Sequence, residues 1–105
     1  MDIENRTTVS DDIRHMLKEP GMYAVIFYND EITTMDFVVE ILIKVFHKPA
    51  AEAASIMMDV HDNGQGVAGV YTYDIAMTKK KQADLLSANK GFPLRIEVSK
   101  TTEEG

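Results

Sequence analysis

The sequence predicts a small α+β domain of order β-α-α-β-α-β, with helices packed on one face of a three-stranded antiparallel sheet. Three observations carry this expectation. The spacing of apolar residues switches along the chain between short continuous or alternating runs and the three-and-four spacing of an amphipathic helix. Turn formers and helix stops (Asn29-Asp30, Asn63-Gly64-Gln65-Gly66, Gly91) sit at the switches. A chain of 105 residues encloses one core, and three short strands are too few for a doubly wound sheet.

The N-terminal residues 1–21 are read as a flexible tail. Ile13, Met16 and Leu17 form one apolar stripe on a short helix, but Pro20-Gly21 stops it. The folded core is expected over residues 22–100. Met22 to Tyr28 is apolar and aromatic without helical spacing, which indicates a buried strand, and Asn29-Asp30 breaks it. Thr33 is the expected N-cap of the first helix, with Asp36 three positions later as a shortened capping box. Met35, Val38, Val39, Leu42, Ile43 and Phe46 follow at the spacing of one helix face.

Pro49 suits the first turn of a second helix. Its core face is Ala53, Ile56, Met57 and Val60, and Asn63-Gly64-Gln65-Gly66 ends it. Val67 to Tyr71 reads as the second strand, with Gly69 marking a bulge or a close backbone approach. Thr72 can cap a third helix running through Ile75, Ala76, Ala83 and Leu86, with Lys90 in its last turn and Gly91 as its stop. Pro93 to Val98 alternates, as a strand with one buried face does, and residues 101–105 are expected to fray.

Composition removes several classes of function. A net charge of −6, with Lys79-Lys80-Lys81 as the one basic run, lacks the clustered cations that neutralise phosphates, so nucleic acid is not an expected partner. Phe37 to Phe46 is interrupted by Glu40 and Lys44 and falls short of the roughly 20 apolar residues of a membrane span. The acidic start Met1-Asp2-Ile3-Glu4-Asn5 lacks the apolar stretch of a secretory leader. With no cysteine there is no disulfide framework, which suits the reducing cytoplasm.

Catalytic patterns are equally thin. His15, His47 and His61 are scattered, and Asp59, His61 and Asp62 do not converge on one ion along a helix, so no metal is expected. Ser10, Ser55, Ser87 and Ser99 carry no nucleophile-elbow signature. Gly64-Gln65-Gly66 opens a strand rather than a helix, so it cradles no phosphate. Neither an enzyme nor a cofactor is expected.

Seven methionines suit surfaces that adapt to different partners. Taken singly, Met35, Val38, Met57, Val60 and Leu94 read as packing, His61 as a helix-end group, Asn29 as a turn former, and Asp74 and Lys79 as surface charges.

Taken together, the segments resemble the ClpS family, small adaptors that deliver N-degron substrates to Clp-type AAA+ unfoldase–proteases. The matching pieces are Tyr23-Ala24-Val25, Asn29-Asp30-Glu31-Ile32-Thr33-Thr34-Met35-Asp36-Phe37-Val38-Val39 and Ile56-Met57-Met58-Asp59-Val60-His61-Asp62-Asn63-Gly64. Gly69-Val70-Tyr71-Thr72, Ala76-Met77-Thr78-Lys79 and Pro93-Leu94 complete them, so the likeness runs from Met22 to Val98.

The resemblance implies that Asn29, Glu31 and His61 hydrogen-bond the α-ammonium of a substrate peptide. It implies that Thr33, Met35, Val38, Met57, Val60 and Leu94 line a pocket for a first residue that is Leu, Phe, Tyr or Trp. Met35 would exclude β-branched side chains, and Asp74 and Lys79 would face a ClpA-like or ClpC-like unfoldase that the tail also contacts. The chain would be a monomer when free, in a bacterial cytoplasm rather than a plastid. Glu31 stands where the family usually has Asp, Thr34 where Pro is common at the first helical position, and Ala68 where Cys is frequent. The alternative from another class is a non-catalytic structural or assembly module with a ribosomal-stalk-like α+β fold.

Overall fold

A computed structural model describes residues 21–101. The expected tail, apart from Gly21, and the fraying expected of residues 102–105 lie outside that range. The order is the expected one: β1 (Met22–Tyr28), α1 (Met35–Lys44), α2 (Ala50–Asn63), β2 (Gln65–Thr72), α3 (Tyr73–Lys90) and β3 (Arg95–Lys100). The strands form one antiparallel sheet of order β2-β1-β3, so the first strand is the central one.

Alternation sorts the sheet into two faces. Val25 and Phe27 of β1, Ala68 of β2 and Ile96 of β3 point to one side and bury themselves against Ile41, Leu42, Ile56, Val60, Ala76 and Ala83 of the three helices. Phe27 also meets Phe46 edge-on, with ring centroids 5.5 Å apart. The register slips between Val25 and Ile26, which pair with Gly69 and Val67 and leave Ala68 as the extra residue of a β-bulge. Gly69 answers to both expectations for it. It borders the bulge, and a Cβ there would lie 2.3 Å from the Tyr71 hydroxyl, because the tyrosine ring lies over the bare backbone.

Local structure departs from the sequence reading at five places. The N-cap of α1 is Thr34, not Thr33: its hydroxyl accepts the Phe37 N–H at 3.1 Å. The position expected to be the first helical residue is therefore the cap itself, and a threonine there supplies a bond that proline has no side-chain oxygen to make. The buried face of α1 is Phe37, Val38, Ile41 and Leu42, while Met35 and Ile43 are exposed. Nearly the whole circumference of this helix is apolar, so two stripes fit its spacing. Contact of Phe37 with Phe92, at 4.8 Å between centroids, accompanies the buried one.

In α2, Pro49 is the cap position rather than part of the first turn. In α3, Ile75 is exposed, and the inward face is the small-residue set Ala76, Ala83 and Ser87. Small side chains let that helix lie close to the sheet, and the Ser87 hydroxyl is satisfied internally by the Ala83 carbonyl. Finally, Thr101 does not fray: its N–H and hydroxyl both donate to the Met22 carbonyl, at 3.0 and 3.1 Å, and extend the β3 pairing past Lys100.

Gly69→Ala is expected to lower stability by about 1–3 kcal/mol, the usual range for overpacking. In a Tyr71→Val background the same change is expected to be nearly neutral, and urea denaturation of the four proteins measures the difference.

Candidate functional site

Strand pairing brings Asn29, the end of the helix that carries Val60 and His61, and Leu94 to one end of β1. Its last residue, Tyr28, pairs with Gln65 of β2 on one side and Arg95 of β3 on the other. One residue further on, the Asn29 N–H donates to the Gly64 carbonyl at 2.9 Å. Gly64 is the left-handed residue that ends α2, with φ of 90°, and its own N–H returns to the Val60 carbonyl. Leu94 immediately precedes Arg95. The turn after β1, the last two turns of α2 with Met57, Val60 and His61, and the entry to β3 thus meet at one end of the sheet.

The residues there divide by burial. Val38, Val60 and Leu94 are buried members of the core, and Met57 is half-buried against it. Thr33 is half-buried, and Met35 is 47% exposed. Asn29, Glu31 and His61 are exposed. The arrangement is a floor of branched aliphatic side chains with a rim of flexible methionines and hydrogen-bonding groups.

Asp30, which the sequence reading treats only as a strand breaker, builds the turn that holds this rim. One carboxylate oxygen accepts the N–H groups of Ile32 and Thr33 at 2.8 and 2.7 Å, and the other accepts the Thr33 hydroxyl at 2.8 Å. Burial opposes the charge, but the bonds from Thr33 and Ile32 outweigh it and hold the carboxyl below its ordinary value of 3.8. The Asp-x-x-Thr spacing of Asp30 and Thr33 is the signal from which this Asx-type turn is legible. A second neighbour not anticipated is Arg95, whose guanidinium stacks over the Tyr28 ring at 4.2 Å and bonds Glu97 at 3.1 Å.

Asp74 and Lys79 do not join this group. They lie on the first two turns of α3, which starts where Thr72 pairs with Met22, at the opposite end of β1. Asp74 is exposed, as expected of a surface charge. Lys79 corrects that expectation, because it is half-buried and its ammonium donates to the Val45 carbonyl at 2.8 Å, satisfying the C-terminal end of α1. Tyr71 sits beneath it, with the ammonium 6.0 Å from the ring centre. Burial, and then the Glu52 carboxylate, pushes the tyrosine hydroxyl up to about 12. Among the described residues no cluster of His, Asp and Glu has the arrangement of a metal site.

Comparison with known proteins places the chain in a family. The family model described as "ATP-dependent Clp protease adaptor protein ClpS" matches residues 18–97. The chain belongs to the ClpS family. It is 59% identical over 80 residues to the ATP-dependent Clp protease adapter protein ClpS of Syntrophus aciditrophicus, covering 76% of this chain and 75% of that one. It is 53% identical over 92 residues to the ClpS of Acetivibrio thermocellus, covering 88% and 93%. Among solved structures, Agrobacterium tumefaciens ClpS2 bound to L-phenylalaninamide is similar, with a TM-score of 0.73 and 36% identity. That match covers 77% of this chain and 98% of the other. The relatives are Clp protease adaptors, and this chain is an adaptor of that family.

Asp30→Ala is expected to cost about 1–2 kcal/mol near neutral pH, the low end for bonds to a charged group because the turn faces solvent. The folded pKa of Asp30 is depressed, so its contribution is present above about pH 4 and fades as pH falls through the folded value. Urea denaturation of both proteins at neutral and acid pH is expected to show the gap closing on acidification.

Proposed function

We propose that this chain binds the free α-amino group and the bulky hydrophobic first side chain (Leu, Phe, Tyr or Trp) of N-degron substrates, and hands them to a Clp-type AAA+ unfoldase. The observation that carries the proposal is the meeting of Asn29, His61, Val60 and Leu94 at one end of the central strand. An apolar floor beside a few placed polar groups is the usual composition of a small-ligand site. The similar ClpS2 structure holds a compound of the same chemistry, a free amine next to an aromatic side chain.

The division of labour follows from which groups are free to act. The Asp30 carboxylate is occupied by its own turn, so Glu31 is the carboxylate that meets the ammonium. The amide oxygen of Asn29 and a ring nitrogen of His61 accept its other two N–H groups, directly or through water. His61 accepts only as the neutral imidazole, since the protonated ring can only donate. The longer Glu31 side chain reaches where the family's usual aspartate would stand a methylene closer. Thr33, Met35, Val38, Met57, Val60 and Leu94 receive the first side chain, with Met35 rejecting branching at its Cβ by bulk rather than by lost contact.

Asp74 and Lys79 form the face toward the unfoldase. Their place at the far end of β1 lets a bound peptide and the unfoldase be held together without competing for surface. Because Lys79 also closes the end of α1, removing it tests stability and delivery at once.

Fluorescence anisotropy with a Phe-initiated peptide is expected to show saturable binding that acetylation of the peptide amine abolishes. Equal binding of the two peptides, or of neither, overturns the proposal in favour of a structural module. His61→Ala is expected to weaken binding about tenfold, the worth of one hydrogen bond to a charged group, with an unchanged circular dichroism spectrum.

A further inference from the structure

Asn63-Gly64, at the end of α2, is the one Asn-Gly pair in the chain; Asn5, Asn29 and Asn89 precede Arg6, Asp30 and Lys90. The pair has a chemistry of its own. Glycine has no side chain to shield its backbone nitrogen, and its freedom of φ and ψ lets that nitrogen fold back onto the asparagine carboxamide. Both residues are exposed, so water reaches them. Nothing lies within 4 Å of the position a Cβ on Gly64 would take, so the chain has room to bend there. The Gly64 N–H is held by the bond that ends α2, to the Val60 carbonyl at 3.0 Å. Helix ends open far more readily than helix centres, so this bond gates the nitrogen and does not bury it.

We propose that Asn63 is a self-modification site, which deamidates and isomerises as the protein ages and so unties α2 from the turn after β1. When the end of α2 opens, the Gly64 backbone nitrogen attacks Asn63 Cγ. A Cγ–N bond forms, the Cγ–Nδ2 bond breaks, and the side-chain nitrogen departs as ammonia with the proton that Gly64 gives up. The product is a cyclic succinimide, which water opens at either of its carbonyls. Opening at Cγ gives an aspartate at position 63. Opening at the backbone carbonyl gives isoaspartate, whose main chain runs through Cβ and Cγ. That detour lengthens the backbone by one methylene, about 1.5 Å. It falls next to the Gly64 carbonyl, which accepts the Asn29 N–H at 2.9 Å. A hydrogen bond is lost over a shift of that size. The aspartate product adds a charge without moving the backbone, so it keeps the bond.

The test is timed incubation of the full chain at neutral and mildly alkaline pH, followed by peptide mapping with isoaspartyl methyltransferase labelling. Isoaspartate is expected to accumulate at position 63 ahead of every other asparagine, and faster at the higher pH, where the attacking nitrogen loses its proton more readily. Asn63→Gln, whose longer side chain closes the ring poorly, is expected to stay unmodified over the same period. In the purified isoaspartyl form the Asn29 amide is expected to lose about tenfold in hydrogen-exchange protection, the worth of one hydrogen bond. Asn63→Asp, which has the charge without the detour, is expected to keep that protection. Modification no faster at position 63 than at Asn29 or Asn89 overturns the proposal, as does full Asn29 protection in the isoaspartyl form. These measurements involve no peptide, so their outcome is separate from that of the binding experiment.

Discussion

The bond from the Asn29 N–H to the Gly64 carbonyl is the constraint on which the candidate site depends. It extends the β1–β2 ladder one step beyond the last strand pair and ties the turn after β1 to the residue that ends α2. Everything on either side is positioned relative to it. Val60 and His61 are placed because Gly64 closes the helix on the Val60 carbonyl, and Leu94 because Arg95 pairs with the residue before Asn29. Sheet register thus sets Asn29, His61 and Leu94, whereas Glu31 and Thr33 are set by the turn that Asp30 closes.

The order of elements was legible because each left a local mark. Gly64 and Gly91 terminate helices where a left-handed residue is needed, and the alternation after Pro93 survives as buried Leu94 and Ile96 between exposed neighbours. The failures share a cause. On α1 the apolar residues outnumber those a single face can hold, so the choice between the Met35–Ile43 and Phe37–Ile41 stripes rests on tertiary contacts that spacing does not encode. Ile75 misleads in the same way, because the inward face of α3 is chosen by small size rather than by hydrophobicity. Thr101 is held by a carbonyl 79 residues away, which no local pattern announces.

The candidate site shows the same limit. Its members were named from a family likeness, whereas alone they read as packing and turn residues. Asp30 was passed over although it carries the most bonds in the turn, because a side chain that accepts from its own backbone looks in sequence like any turn former. Lys79 is a related case: a cation in a basic run, yet drawn in over Tyr71 to a helix-end carbonyl left without a partner within its own helix. Charge in a sequence says where solvent is tolerated, not where it is found.

The division between floor and rim has a chemical consequence. Val38, Val60 and Leu94 offer an oxidant nothing to attack, whereas Met35 is open to solvent and Met57 partly so. Peroxide would convert a rim thioether to a sulfoxide, replacing a pliable apolar group with a bulky dipole while the hydrocarbon beneath stays intact. In a chain without cysteine, no thiol competes for that oxidant. Damage of this kind would strike the wall of the site before the fold, and sulfoxide reductases could reverse it.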